Sequence, residues 1–90
     1  MEYFFYDHLP EEARAIREAV FLQEQGFTEE FDETDKTARH LLLFEKEKPM
    51  ATARLFEGEE PGVFWVGRVA VLPPFRGRGL GAEMLRLLEG

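Results

Sequence analysis

The apolar residues come in short blocks whose spacing shifts between the strand and helix periods. Glu2-Tyr-Phe-Phe-Tyr-Asp7 is short, aromatic and followed by Pro10, which predicts a first strand. Pro10 then Glu11 and Glu12 open a helix, because proline suits the first helical turn and acids complement its dipole. Ala13, Ile16 and Val20 recur on one face of that helix, with Glu12, Arg14, Arg17 and Glu18 mostly on the other. It should run to about Gln25 and stop at Gly26. Phe27 to Lys36 holds five acids in ten residues with no clear period, which predicts a solvated loop with at most one short helical turn.

Ala38 to Glu45 contains Leu41-Leu42-Leu43-Phe44, a run that suits a strand buried on both faces. Lys46-Glu47-Lys48-Pro49 predicts a hairpin turn. The returning strand, Met50 to Phe56, should point Ala51, Ala53 and Leu55 one way and Met50, Thr52, Arg54 and Phe56 the other. After the Gly58–Gly62 turn, Val63 to Leu72 should be the longest and most apolar strand. Gly67 within it marks a bulge or a close backbone approach. Leu80, Met84, Leu87 and Leu88 form a single stripe on a last helix from Gly79 to about Glu89. The stripe should pack on the sheet, and Trp65 and the phenylalanines should fill the core. The expected fold class is α+β, with a mostly antiparallel sheet and helices packed on it.

Ninety residues form one domain, residues 1–90, with a small core. The absence of cysteine excludes a disulfide framework and thiolate metal sites, and His8 and His40 are too far apart to suggest a metal motif. No apolar run approaches the roughly 20 residues that span a bilayer. Met1-Glu2 lacks the basic start of a signal peptide, so the expected location is cytoplasmic. A net charge of −7 argues against nucleic acid as partner. That charge is uneven: residues 1–62 hold 7 Lys/Arg against 16 Asp/Glu, whereas residues 63–90 hold 4 Arg against 2 Glu. Such polarity suits an anionic cofactor at one pole and a cationic substrate at the other, and equally an ordinary solubilising acidic surface.

The chemistry concentrates in Val69-Ala-Val-Leu-Pro-Pro-Phe-Arg-Gly-Arg-Gly-Leu-Gly-Ala82, where an apolar strand breaks at Pro73-Pro74 and turns into the last helix. A glycine-rich turn at a helix start presents unbonded backbone N–H groups, and the helix dipole makes the spot positive. Arg76 and Arg78 add charge, making this a seat for phosphate. Gly77-x-Gly79-x-x-Ala82 formally fits the dinucleotide fingerprint, but that reading needs a second parallel strand and a distal acid, and the sequence ends at Gly90. The Gly-Lys-Ser/Thr of a nucleoside-triphosphate loop is absent. Arg76-x-x-Gly79-x-Gly81 after a strand ending Val-Ala-Val-Leu-Pro resembles the acetyl-CoA pyrophosphate loop of the GNAT N-acetyltransferase superfamily. The order of Arg17-Glu-Ala-Val-Phe-Leu-Gln-Glu-Gln-Gly26, Ala38-Arg-His-Leu41, Ala51-Thr-Ala-Arg-Leu55 and Gly67-Arg-Val-Ala-Val71 looks like its ElaA/YjcF-type branch.

That resemblance implies the N-terminal portion of an acyl-CoA N-acyltransferase fold. It implies that Val69, Ala70 and Val71 offer backbone groups to the pantetheine arm and thioester carbonyl. It also implies that Arg76, Gly77, Arg78, Gly79, Leu80, Gly81 and Ala82 hold the pyrophosphate of acetyl-CoA, with no metal. The activity implied is acetyl transfer to a small-molecule amine, with no nucleic-acid or membrane partner. In the family, another strand and helix follow this point and form one wall of the cofactor cleft. A homodimer partner could supply that wall, and the alternative is a binding or dimerisation module without turnover. Arg17, Glu24 and Arg54 are candidates for the substrate side. Glu24 is also a candidate base or water-holder, against a solvated residue in the last helical turn. For Arg17 a helix-face ion pair is the other reading; for Arg54 and Arg68 it is a cross-strand pair with Glu45 or another acid. His40 is read as a hydrogen-bonded core histidine or a catalyst. The acids Glu29, Glu30, Asp32, Glu33 and Asp35 are read as a solvated loop or an attractor for an amine.

Overall fold

The computed structural model describes residues 1–26 and 33–89. Four strands, β1 (Glu2–Tyr6), β2 (Arg39–Glu45), β3 (Lys48–Glu57) and β4 (Phe64–Val71), form one sheet in the order β1-β2-β3-β4, antiparallel throughout. Helix α1 (Glu11–Arg17) starts after Pro10, whose carbonyl accepts the Arg14 N–H at 3.0 Å. The helix continues as a π-helical stretch, Glu18–Glu24, whose last bond joins the Gln25 N–H to the Val20 carbonyl at 3.1 Å. Helix α2 (Leu80–Glu89) closes the described chain. The expected elements are present, but the longest strand is β3 with 10 residues, not β4 with 8.

The alternation of Leu41, Leu42 and Leu43, all fully buried, divides the core between the two faces of the sheet. Leu41 and Leu43 pack with Ala51, Ala53, Leu80 and Met84 beneath α2, and Leu87 and Leu88 extend that contact. Leu42 packs with Ala13, Ile16, Val20 and Ala70 beneath α1. The helices therefore cover opposite faces, and the sheet is the middle layer. Burying a leucine side chain of this kind contributes about 1.5–3 kcal/mol.

Two irregularities bend the ladder. Leu43 faces Ala51 and Phe44 faces Pro49, which leaves Met50 as an extra residue on β3. Met50 consequently joins Ala51 and Ala53 on the α2 side, rather than the Thr52 side that strict alternation predicts. On β4, Thr52 faces Ala70 but Arg54 faces Gly67, so Arg68 and Val69 stand opposite Ala53 alone. Arg68 takes a positive φ of 51°, as the αL residue of a bulge does. The bulge expected at Gly67 thus falls on the next residue. The close backbone approach also expected at Gly67 is not seen: a Cβ there would make only ordinary contact with the Phe56 ring at 3.4 Å and Arg54 Nε at 3.8 Å. The β2–β3 turn is tighter than the sequence suggests. Lys46 and Glu47, at φ 49° and 69°, make it alone, and Lys48 and Pro49 already belong to β3.

The aromatic residues do not fill the core. Phe64 and Trp65 are each 58% exposed, and Tyr3, Phe4 and Phe5 line the opposite edge strand in the open. Both strands lie at the edges of the sheet, and successive residues there are exposed on both faces, so neither helix layer reaches over them. Charge occupies the interior instead. Arg17 and Arg54 are 1% and 4% exposed, and Asp35, from the 3-10 turn Glu33–Lys36, is 7% exposed. The Asp35 carboxylate accepts two hydrogen bonds from Arg17, at 2.7 and 3.0 Å, and one from Arg54 Nη1 at 2.9 Å. Among the acids expected to be solvated, Asp35 is the exception. Glu33 is exposed beside Lys36, and Glu29, Glu30 and Asp32 lie outside the described residues. Replacing one member of a buried ionic group leaves uncompensated charge, at a cost of about 3–5 kcal/mol. Asp35→Asn should lower the unfolding free energy by that order in urea titration.

Candidate functional site

The site is assembled where β4 ends and α2 begins. Leu72 is tied to β3 by its N–H to the Met50 carbonyl at 3.0 Å, and the 3-10 turn Pro73–Phe75 then reverses the chain. The Arg76 N–H bonds the Pro73 carbonyl at 3.2 Å, and the Glu83 N–H bonds the Gly79 carbonyl at 3.0 Å. Between them, the amides of Gly77 to Ala82 make no backbone hydrogen bond to the described residues. They form the open N-terminal rim of a ten-residue helix, which carries a partial positive charge.

The three glycines have different physical reasons. Gly77 and Gly79 sit at φ 80° and 71°, where any other residue is strained. Gly81 lies inside the first turn of α2 with ordinary φ, and a Cβ there would meet nothing within 4 Å. Glycine costs roughly 0.5–1 kcal/mol relative to alanine in a helix, so the chain's own packing gives no reason for it there.

Arg76 and Arg78 are turned towards carboxylates. Arg76 grips Glu24 through both terminal nitrogens, at 3.0 and 2.6 Å, and its Nε–H donates to the Val71 carbonyl at 2.9 Å. The loop is thereby fixed to the end of β4 and to the end of the π-helical stretch. Arg78 pairs with Glu45 and lies over the Phe75 ring. Both arginine side chains are somewhat under half exposed, and solvent and salt screen such pairs, so they add little to stability. The free positive potential of the turn therefore comes mainly from its amides.

Val69 is exposed and Val71 half-buried, and Ala70 anchors the strand in the α1-side core. The β4 bulge immediately precedes them, and its outer edge is unpaired in the sheet. The remaining candidates separate from this group. Arg17 and Arg54 are buried and both bond Asp35, whereas Glu45, the cross-strand partner expected for Arg54, is paired with Arg78. Glu24 is exposed and brought to the turn, where hydrogen bonding to Arg76 holds its carboxyl below the usual range and weakens it as a proton acceptor. His40 is 1% exposed and its Nε2–H donates to the Asp35 carbonyl at 2.9 Å. It is a core histidine remote from the turn. The role of Asp35 is the feature sequence reasoning missed, because nothing local distinguishes it from the neighbouring acids. Arg68 as the αL residue was legible only as far as its neighbour Gly67.

The four-stranded antiparallel sheet with its two covering helices superimposes on acyl-CoA N-acyltransferase structures and has that fold. Residues 3–90 match the acetyltransferase (GNAT) family model, and the chain belongs to that family. It is 32% identical over 76 residues to the uncharacterized N-acetyltransferase YjcF of Bacillus subtilis (strain 168), covering 82% of this chain and 53% of that protein. It is 34% identical over 84 residues to the uncharacterized protein YyaT of the same organism, covering 87% of this chain and 55% of that one. Among solved structures, Escherichia coli ElaA superimposes with a TM-score of 0.79 at 28% identity, over 98% of this chain and 67% of ElaA. An acyl-CoA N-acyltransferase from Pseudomonas aeruginosa gives 0.80 at 27% identity, over 98% and 68%. The chain spans about half the length of the curated relatives it matches.

His40 supplies a test of the interior. Burial disfavours its charged form, and the guanidinium groups of Arg17 and Arg54 push the same way against the carbonyl and carboxylate of Asp35, so its pKa is lowered. Below the unfolded value of about 6.5, the unfolded chain takes up a proton that the folded chain refuses. This contribution is fully present above that pH and is lost as pH falls towards the folded pKa. The melting temperature should drop between pH 7.5 and 5.5, and His40→Gln should flatten the drop.

Proposed function

We propose that the chain binds acetyl-CoA at the turn between β4 and α2 and belongs to an enzyme that transfers the acetyl group to a small-molecule amine. The observation that carries this reading is the run of unbonded amides from Gly77 to Ala82, together with the Gly81 position that packing alone does not explain. A diphosphate placed there accepts several N–H bonds with the helix dipole behind them. Glycine at position 81 then keeps a Cβ out of the path of a phosphate oxygen. Arg76 acts mainly through position, holding the turn against Val71 and Glu24.

From that anchor the pantetheine arm runs back along Val71, Ala70 and Val69 towards the bulge at Arg68. There the bulge interrupts the ladder and re-aims backbone groups. A backbone N–H directed at the thioester carbonyl stabilises the charge that develops on its oxygen. A neutral amine attacks the carbonyl carbon, the C–S bond breaks, and the sulfur leaves with a proton as the CoA thiol. The amine loses its surplus proton and becomes the amide.

Gly81→Glu tests the diphosphate seat, because an acid in the first turn suits the helix but repels phosphate. Calorimetry should show CoA affinity at least tenfold weaker with the melting temperature little changed. Unchanged affinity would sink the reading. A second reading, CoA binding without turnover, is favoured by the open outer edge of β4, where Val63, Phe64, Val66 and Val69 are exposed and a second copy of the chain could pair to supply the other cleft wall. Thiol release from acetyl-CoA across a panel of amines separates the two. The catalytic reading expects release with at least one amine, whereas binding with no release under any of them assigns the chain to the second.

A further inference from the structure

Trp65, the only tryptophan, projects from β4 on the side of the bulge away from the diphosphate seat. Its cross-strand partner is Phe56. The indole lies directly against the β3–β4 turn: a Cβ at Gly58 would stand 2.4 Å from its Nε1 and 2.8 Å from its Cδ1. Position 58 is therefore closed to every other residue unless the ring moves. The turn itself is well tied. The Gly58 N–H bonds the Val63 carbonyl at 2.7 Å, the Val63 N–H bonds the Glu60 carbonyl at 3.2 Å, and the Gly62 N–H bonds the Glu57 carboxylate at 3.3 Å.

Glu59, Glu60, Val63 and Trp65 line a hollow of about 340 Å³ beside this turn. Neither Glu59 nor Glu60 takes part in an ion pair among the described residues. An indole face attracts cations through its quadrupole, more strongly than any other side-chain ring. Two carboxylates beside it add charge and accept N–H bonds. Both carboxylates are exposed, so a neutral guest gains nothing from them, a cation gains their charge and an anion is repelled. Val63 supplies an apolar wall for a carbon skeleton.

We propose that this hollow binds an organic ammonium ion, with its charged head on Glu59 and Glu60 and its carbon body against Trp65 and Val63. The site is built on a hydrogen-bonded turn, so little order is lost when the ligand arrives. Trp65 and Val69 are four positions apart, a span of roughly 13 Å along a strand. If acetyl-CoA lies along Val69–Val71 as proposed above, an amine held here waits on the acceptor side of the thioester. That placement rests on the proposed function, but the binding itself does not. A second hollow at the other edge, lined by Glu2, Phe4, Tyr6, Phe44 and Glu47, has related chemistry but lies beside β1, at the far side of the sheet from β4.

Because Trp65 is the sole indole, its fluorescence reports this hollow directly. Titration of the CoA-free protein with tert-butylammonium should change the emission saturably, and tert-butanol, the neutral isostere, should bind at least tenfold more weakly. Glu59→Gln with Glu60→Gln should weaken the ammonium at least tenfold, while Glu2→Gln with Glu47→Gln should leave it unchanged. Equal response to the alcohol, an unaltered affinity in the first double variant, or no saturable change would each overturn the assignment. No CoA is present, so failure of the diphosphate seat would leave this result readable. Conversely, intact CoA binding beside an unresponsive indole would reject the ammonium site alone.

Discussion

One carboxylate holds the layers in place. Asp35 stands between two guanidinium groups, one from α1 and one from β3, in a space that excludes water. An ionic group of this kind gains little net free energy over apolar packing, since desolvation consumes most of the attraction. Its effect is geometric. Arg17 cannot slide along the sheet without losing a two-pronged grip, and Arg54 is the register partner of Gly67, at the start of the β4 bulge. The helix layer and the irregular strand are thus indexed to each other through a charge that tolerates no alternative packing.

The turn that would receive a diphosphate depends on that indexing at one remove. Arg76 reaches from the turn to Glu24 at the end of the π-helical stretch, and that stretch continues the helix that Arg17 pins. The basic residues of the turn, expected from the sequence to supply charge for an anion, are each paired with a carboxylate here and so brace the turn. Under the proposed function the anion would meet main-chain amides rather than these side chains. Gly77 and Gly79 take a positive φ, and a Cβ at Gly81 would project into open space.

Periodicity made most of the architecture legible. The Leu41–Leu43 run marked a strand buried on both sides, and the Leu80, Met84, Leu87 and Leu88 stripe marked a helix lying on it. The failures have specific causes. Alternation misplaced Met50 because an extra residue in β3 resets the phase, and a bulge leaves no compositional mark there. Trp65 and Phe64 have the size of core residues, but burial depends on a covering layer, and the helices do not reach over the start of β4 on either face. Asp35 was hidden among neighbouring acids, since what buries it is the distant pair Arg17 and Arg54. In the candidate site, the glycine spacing disclosed the amide rim, whereas the partners of Arg76 and Arg78 lie 52 and 33 residues away and could not be read locally.

The extra residue on β4 bears also on what can pair beside that strand. A straight extended segment docking along the outside of that strand would find donors and acceptors in step as far as Gly67 and out of step from Val69 onward. Matching the whole length would require an incoming segment with its own compensating insertion.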